Sequence, residues 1–370
     1  MQSMIFHVPF KIDADIISGT HIRPRHMIEA FRRIGLNVEV VEGSVRDRRR
    51  KIRELKNRIN KGEAFSFAYS ESSTMPTALT EKHHLPIAPF LDFTFLAFLR
   101  RKGIHTGLFY RDVHWLFEQY VSSTSLPKRV IAKLFYRYDL FWYKLVIKRL
   151  YLPCLSMAGV IFLPTNRLYR CVGELPPGAG HEGQKQREVS PSATSKQPLR
   201  LIYVGGMGTL YDITTIVRVV AQVEGLFLTL STRKREWERH KHEYRQFNGN
   251  YRVVFHSGEE LRADYFNSDI AVLFVAPVAY WKIAMPVKLF EYMSMLLPVI
   301  GVQGTAAGNF ISKNDIGWSI PYDINSVEEL LRRIRDRPEE IHQKAQNIKR
   351  IINDHTWEAR ARKVVMELSQ

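Results

Sequence analysis

Short apolar runs alternate with amphipathic segments along this chain, and one polar stretch interrupts the series near the middle. That alternation constrains the fold most, because strand–helix–strand repeats build parallel sheets covered on both faces. Met4–Pro9 reads as a first strand, followed by a loop through Gly19, a helix from about Pro24 to Ile34 and a strand at Asn37–Val41. Ala64–Tyr69 and His105–Tyr110 read as further buried strands, and Val160–Pro164 as the last of this series. Residues 173–198 hold Gly, Pro, Ser, Gln and charge with hardly any large apolar side chain, the composition of a flexible connector. A second series opens with Leu199–Val204, continues through strands at Leu226–Leu230, Tyr251–His256 and Asp269–Phe274, and ends in helical sequence over 339–370. The fold class is α/β.

A length of 370 residues favours two domains. Apolar content of 45% and charged content of 25% are ordinary for a globular chain and exclude a disordered or fibrous one. Cys154 and Cys171 lack metal-ligand spacing and read as reduced thiols. No secretory signal opens the sequence, and no apolar run reaches the roughly 18 residues that a membrane helix needs. The net charge of +17 is uneven: residues 1–170 carry +14 and the rest +3. Residues 46–61 hold nine basic residues against two acidic. Residues 127–151 interleave Lys128, Arg129, Lys133, Arg137, Lys144, Lys148 and Arg149 with Phe135, Tyr136, Phe141, Trp142 and Tyr143. Such a surface suits anionic lipid headgroups. Nucleic acid is the competing polyanion, but no specific nucleic-acid-binding motif is present, so it is not expected as a partner.

The stretch 286–301 joins an amphipathic helix to a short apolar strand. Lys288 and Glu291 lie three apart and share one helix face. A cation and a carboxylate there suit a nucleotide, Lys for phosphate and Glu for ribose hydroxyls. About 80 residues earlier, Tyr203-Val-Gly-Gly-Met-Gly ends a strand and precedes a helix, so its glycines let backbone N–H groups approach a phosphate. Pro286-Val-Lys-Leu-Phe-Glu-Tyr-Met, with the glycine turn, Tyr110-Arg-Asp-Val-His, Phe162-Leu-Pro-Thr and Asn267-Ser-Asp-Ile in order, resembles the family-four-like glycosyltransferases of the GT-B fold that build bacterial exopolysaccharide, capsule and lipopolysaccharide.

The resemblance implies two Rossmann-like domains facing a cleft, with Glu291 on the nucleotide ribose and Lys288 near the diphosphate. Gly19, Gly206, Met207, Arg233, Lys234, Lys288 and Glu291 are the candidate donor-binding residues. Residues 1–172 become an acceptor-binding, membrane-facing domain, 173–198 the linker and 199–350 the nucleotide-sugar domain. Residues 351–370 become a C-terminal helix expected to pack back on the first domain. Two departures stand out. The second family Glu, eight positions before Glu291, is Ile283 here, and the family's Arg and Lys in the first loop of the second domain are missing. Arg233-Lys234 is the candidate replacement for that positive charge.

On the acceptor side, Leu108-Phe-Tyr-Arg-Asp-Val-His-Trp leaves a buried strand, which puts Asp112 and His114 at its carboxyl end. Asp112 is the candidate base for an inverting reaction; in a retaining one Asp112 or His114 positions the acceptor. Lys82-His83-His84 reads as a polar loop. Asp13-Ala-Asp15 matches a short acidic metal motif but lies in the first strand–helix loop, so no metal or other cofactor is expected. The implied protein is a metal-independent hexosyltransferase, cytoplasmic and peripheral to the inner face of the plasma membrane. Its donor would be a UDP- or GDP-sugar and its acceptor a lipid-linked or polysaccharide precursor. A catalytically silent binding subunit and a nucleotide-sugar epimerase are the alternatives.

Overall fold

The structure, a computed structural model, describes residues 2–13, 19–117, 125–161, 171–180, 198–247 and 249–369, the side chains of 19 and 20 aside. The chain divides into two compact units, Met1–Gly178 with Trp357–Gln370, and Ala179–Thr356.

The first unit is built on β1 (Ser3–His7), β2 (Asn37–Val41), β3 (Phe67–Glu71), β4 (Thr106–Phe109), β5 (Arg149–Leu152) and β6 (Val172–Glu174). They pair in parallel in the order β2-β1-β3-β4-β5-β6. The order reverses between β1 and β3, so their carboxyl ends flank a topological switch point. Helix Trp357–Leu368 packs on this sheet: Leu368 sits where a side chain on Gly107 would project, and Arg149 pairs with Glu367 at 2.9 Å.

Three expectations need correction here. Val160 and Ile161 end a short helix, Ser156–Ile161, while 162–164 lie outside the described residues. The strand they were expected to form is replaced by β5 and β6, so the sheet continues into sequence that reads as connector. The first helix spans Gly19–Arg33, with Pro24 inside it rather than at its start. Proline in the second turn removes one backbone donor and crowds the carbonyl four residues earlier, a local cost confined to the start of the helix.

Helix Leu126–Val146 shows the third correction. Ala132, Tyr136, Asp139, Tyr143 and Val146 face inward at spacings of three and four. Trp142 stacks on Phe93 and meets Phe90 edge-on. The aromatics of this stretch therefore serve mostly as packing. The outward face instead carries aliphatic Leu126, Val130, Ile131, Leu134 and Leu145 together with Phe141. Exposed Leu85, Ile87 and Phe90 adjoin it, tied through Phe90 to Tyr138 and Trp142. In helix Val45–Asn60, Arg48 is buried, and Lys51 and Arg58 are paired with Glu39, which leaves Arg46, Arg49, Arg50 and Arg53 exposed.

Arg48 belongs to a buried polar chain. Its Nε donates to Asp92 Oδ1 at 3.0 Å, and His7 Nε2 lies 2.9 Å from the same oxygen. His7 Nδ1 lies 2.8 Å from Ser70 Oγ, so the tautomer protonated at Nε2 satisfies both contacts. Burial pushes the Asp92 carboxyl up, but His7 and Arg48 outweigh it and hold it below the ordinary Asp value.

The second unit carries β7 (Leu199–Val204), β8 (Leu226–Ser231), β9 (Tyr251–Val254), β10 (Ile270–Leu273), β11 (Val299–Val302) and β12 (Gly317–Ile320). Their order, β9-β8-β7-β10-β11-β12, is that of a dinucleotide-binding sheet, all parallel. Leu201, Ile202, Leu228, Leu230, Val272, Val299 and Ile300 are buried, as strands covered on both faces require. The switch point lies between β7 and β10.

Candidate functional site

In the second unit the sequence places its unusual residues at the carboxyl edge of the sheet. β7 runs into Gly205-Gly206-Met207-Gly208, β8 into Arg233 and helix Lys234–His240, and β10 into helix Val287–Ser294. Crossover helices return from strand ends, so their first turns gather at that edge.

The glycine turn is set by its neighbours. Tyr203 Oη donates to the Gly206 carbonyl at 2.6 Å, and a side chain on Gly205 would collide with that hydroxyl. Gly208 has φ of +104°, in the left-handed region that favours glycine. Met207 is buried by its side chain, while its backbone N–H donates to Glu236 Oε2 at 3.1 Å. Arg233 Nη1 donates to the other oxygen, Glu236 Oε1, at 2.5 Å. Gly206, Met207 and Arg233 thus meet around one carboxylate. The sequence reading did not single out Glu236; its position three residues after Arg233, inside a charged helix start, was the signal. Lys234 is exposed at the first position of the same helix.

Helix Val287–Ser294 is fixed to the end of β7 by Tyr292, whose buried hydroxyl accepts the Val204 N–H at 2.9 Å. This contact sets the helix carrying Lys288 and Glu291 beside the strand that opens the glycine turn. Lys288 Nζ pairs with Glu291 Oε2, and Tyr265 Oη donates to the same oxygen at 3.3 Å. Both charged side chains are about a third exposed, at 30% and 32%. Ile283 is buried just before this helix, an apolar side chain where a sugar-side carboxylate is expected.

In the first unit, Asp112 and His114 follow β4. Asp112 Oδ1 accepts the His114 backbone N–H at 2.9 Å, and Oδ2 lies 3.5 Å from His114 Nδ1. His114 Nε2 lies 3.4 Å from Tyr136 Oη, which donates to the Thr74 carbonyl at 2.6 Å. Arg111, one residue before, pairs with buried Glu71 of β3 at 2.9 Å and pins the start of the loop. The two candidate groups are therefore brought together at the carboxyl edge of this sheet. Gly19 lies in this unit, opening the helix after β1. Asp13 donates its backbone N–H to His21 Nδ1 at 3.0 Å, while Asp15 lies outside the described residues, as does the Phe162-Leu-Pro-Thr tract. Neither Cys154, which is buried with its Sγ 3.0 Å from Ser156 Oγ, nor Cys171, which is exposed, is part of a disulfide.

No family model matches the sequence, and no curated protein matches it. Solved structures do. Sucrose-phosphate synthase from Thermosynechococcus elongatus aligns over 99% of this chain and 98% of its own with a TM-score of 0.64 and 14% identity. HepE from Anabaena, determined in complex with UDP-glucose, aligns over 100% of both chains with a TM-score of 0.65 and 10% identity. MnaA from S. aureus, determined with UDP, aligns over 99% of this chain and 95% of its own with a TM-score of 0.52 and 10% identity. These likenesses span both units, and the chain has the two-domain Rossmann-like architecture of the GT-B glycosyltransferase fold.

Proposed function

We propose that this protein transfers a sugar from a nucleoside diphosphate sugar to a hydroxyl acceptor. The observation that carries the reading is the gathering of a glycine turn, Arg233-Lys234 and the Lys288/Glu291 helix at one sheet edge, with Tyr292 locking the helix to β7. Glu291 binds the ribose hydroxyls, and Lys288 lies by the diphosphate. Breaking the glycosyl–oxygen bond sends its electron pair to the diphosphate, whose growing charge is met by Lys288, Arg233, Lys234 and backbone N–H groups. These cations suit a metal-independent reaction with UDP- or GDP-hexose as donor. HepE in complex with UDP-glucose supports that donor class on the same fold. In an inverting reaction Asp112 takes the proton of the attacking hydroxyl. In a retaining one the donor phosphate takes it, and Asp112 and His114 position the acceptor.

The acceptor is a lipid-linked or polysaccharide precursor, met at the inner face of the plasma membrane. The support is the +14 charge of residues 1–170 and the outward face of helix Leu126–Val146. On that face Leu134 and Phe141 are 66% and 57% exposed beside basic Arg137 and Lys144. The contact proposed is peripheral; no helix among the described residues is long and apolar enough to cross a membrane. Co-sedimentation with anionic vesicles should fall at least several-fold in a Leu134→Asp/Phe141→Asp variant and weaken with salt in the wild type. Equal binding to neutral and anionic vesicles contradicts this placement.

Buried Ile283 favours a second reading, a binding subunit that holds the sugar nucleotide without turning it over. Incubation with radiolabelled sugar nucleotides and membrane lipid extract separates the two. Label passing into lipid or polymer supports transfer; donor binding without transfer or hydrolysis supports the subunit.

A further inference from the structure

The geometry points to Glu236 as an intramolecular stand-in for the donor's phosphate, a carboxylate latch that the diphosphate must displace. This inference rests on the donor site proposed above and concerns how that site is held before the donor arrives. Glu236 Oε2 accepts the Met207 N–H of the glycine turn at 3.1 Å, and Oε1 accepts Arg233 Nη1 at 2.5 Å. A backbone N–H and a guanidinium on the same anion are the partners that a phosphate would take. The turn is shaped to bring that anion close: a side chain on Gly206 would approach Glu236 Oε2 to 3.2 Å and Tyr211 to 3.0 Å. The Glu236 side chain is 25% exposed and lies one turn into a short helix, so it can swing outward without disturbing the buried core.

A diphosphate carries more charge than one carboxylate and offers a guanidinium two oxygens at once, so it replaces Glu236 at both contacts. An uncharged nucleoside has no group to exchange and leaves the latch closed. Glu236 thereby makes uptake depend on the anionic part of the donor, and its return favours release of the nucleoside diphosphate product. Glu236 is a positioning and selecting residue, with no role in bond breaking.

Calorimetric titration of wild type, Glu236→Gln, Glu236→Ala and Arg233→Gln with UDP, GDP, ADP, dTDP and uridine tests the latch. Removing the charged competitor should tighten binding of the preferred nucleoside diphosphate roughly tenfold in both Glu236 variants, while Arg233→Gln weakens it. Uridine affinity should stay the same in all four proteins. Unchanged or weaker diphosphate binding in both Glu236 variants, with a wild type that binds, overturns the latch and leaves the donor site standing. A wild type that takes up none of the four diphosphates overturns both.

Discussion

Replacing Asp92 with alanine is expected to lower the unfolding free energy by about 3–5 kcal/mol, the cost of stranding a buried charge. Asp92 is 3% exposed, and its two ring and guanidinium partners, His7 and Arg48, are as deeply buried. Alanine would leave Arg48 with the Gly43 carbonyl at 2.6 Å and the more distant Glu81 carboxylate, 3.9 Å away. Urea denaturation reads the loss directly, and a change below about 1 kcal/mol contradicts it. The pH dependence has a fixed sign. The folded-state pKa of Asp92 lies below its unfolded value, so its stabilisation is present above the unfolded pKa and is lost as pH falls through the folded one. Wild type and Asp92→Asn should therefore converge in stability in strong acid, separate as pH rises through the two pKa values, and differ by a constant amount above about pH 5.

The second large effect falls on binding rather than folding. Glu291→Ala should weaken sugar-nucleotide affinity by about 10- to 100-fold, the loss of hydrogen bonds to a charged acceptor worth roughly 1.5–3 kcal/mol. Its side chain is a third exposed and bonded to Lys288 and Tyr265, so the unliganded variant should unfold within a few degrees of wild type. Lys288 remains in that variant to attract the diphosphate. Affinity for inorganic pyrophosphate should therefore hold while affinity for the sugar nucleotide drops, a split that calorimetry resolves. Loss of both in equal measure would assign Glu291 to the helix rather than to the ribose.

Much of the second unit was legible in the sequence. Leu199–Val204 is an uninterrupted apolar run apart from Arg200, and such runs mark strands buried on both faces. The glycine turn and the Lys288/Glu291 pair were legible for a local reason, since a helix start and a three-residue spacing are properties of neighbouring residues. What escaped was set by distant contacts. β5 follows helix Leu126–Val146 without a glycine or proline turn, and its four residues read as more of the helix. That helix carries two apolar stripes, and the inward one includes Asp139, whose carboxyl burial pushes up to about 7. Periodicity alone does not say which stripe faces the core. Glu236 escaped because its pairing with Arg233 reads like any charged helix start, while the contact that gives it meaning, to the Met207 N–H, spans 29 residues.

Thermal unfolding of the wild type with UDP-, GDP-, ADP- and dTDP-sugars tests the donor assignment most directly. The account predicts a rise in melting temperature with one nucleotide class, UDP- or GDP-linked, that disappears in Glu291→Ala. No rise with any of the four, or an equal rise in wild type and Glu291→Ala, would contradict it.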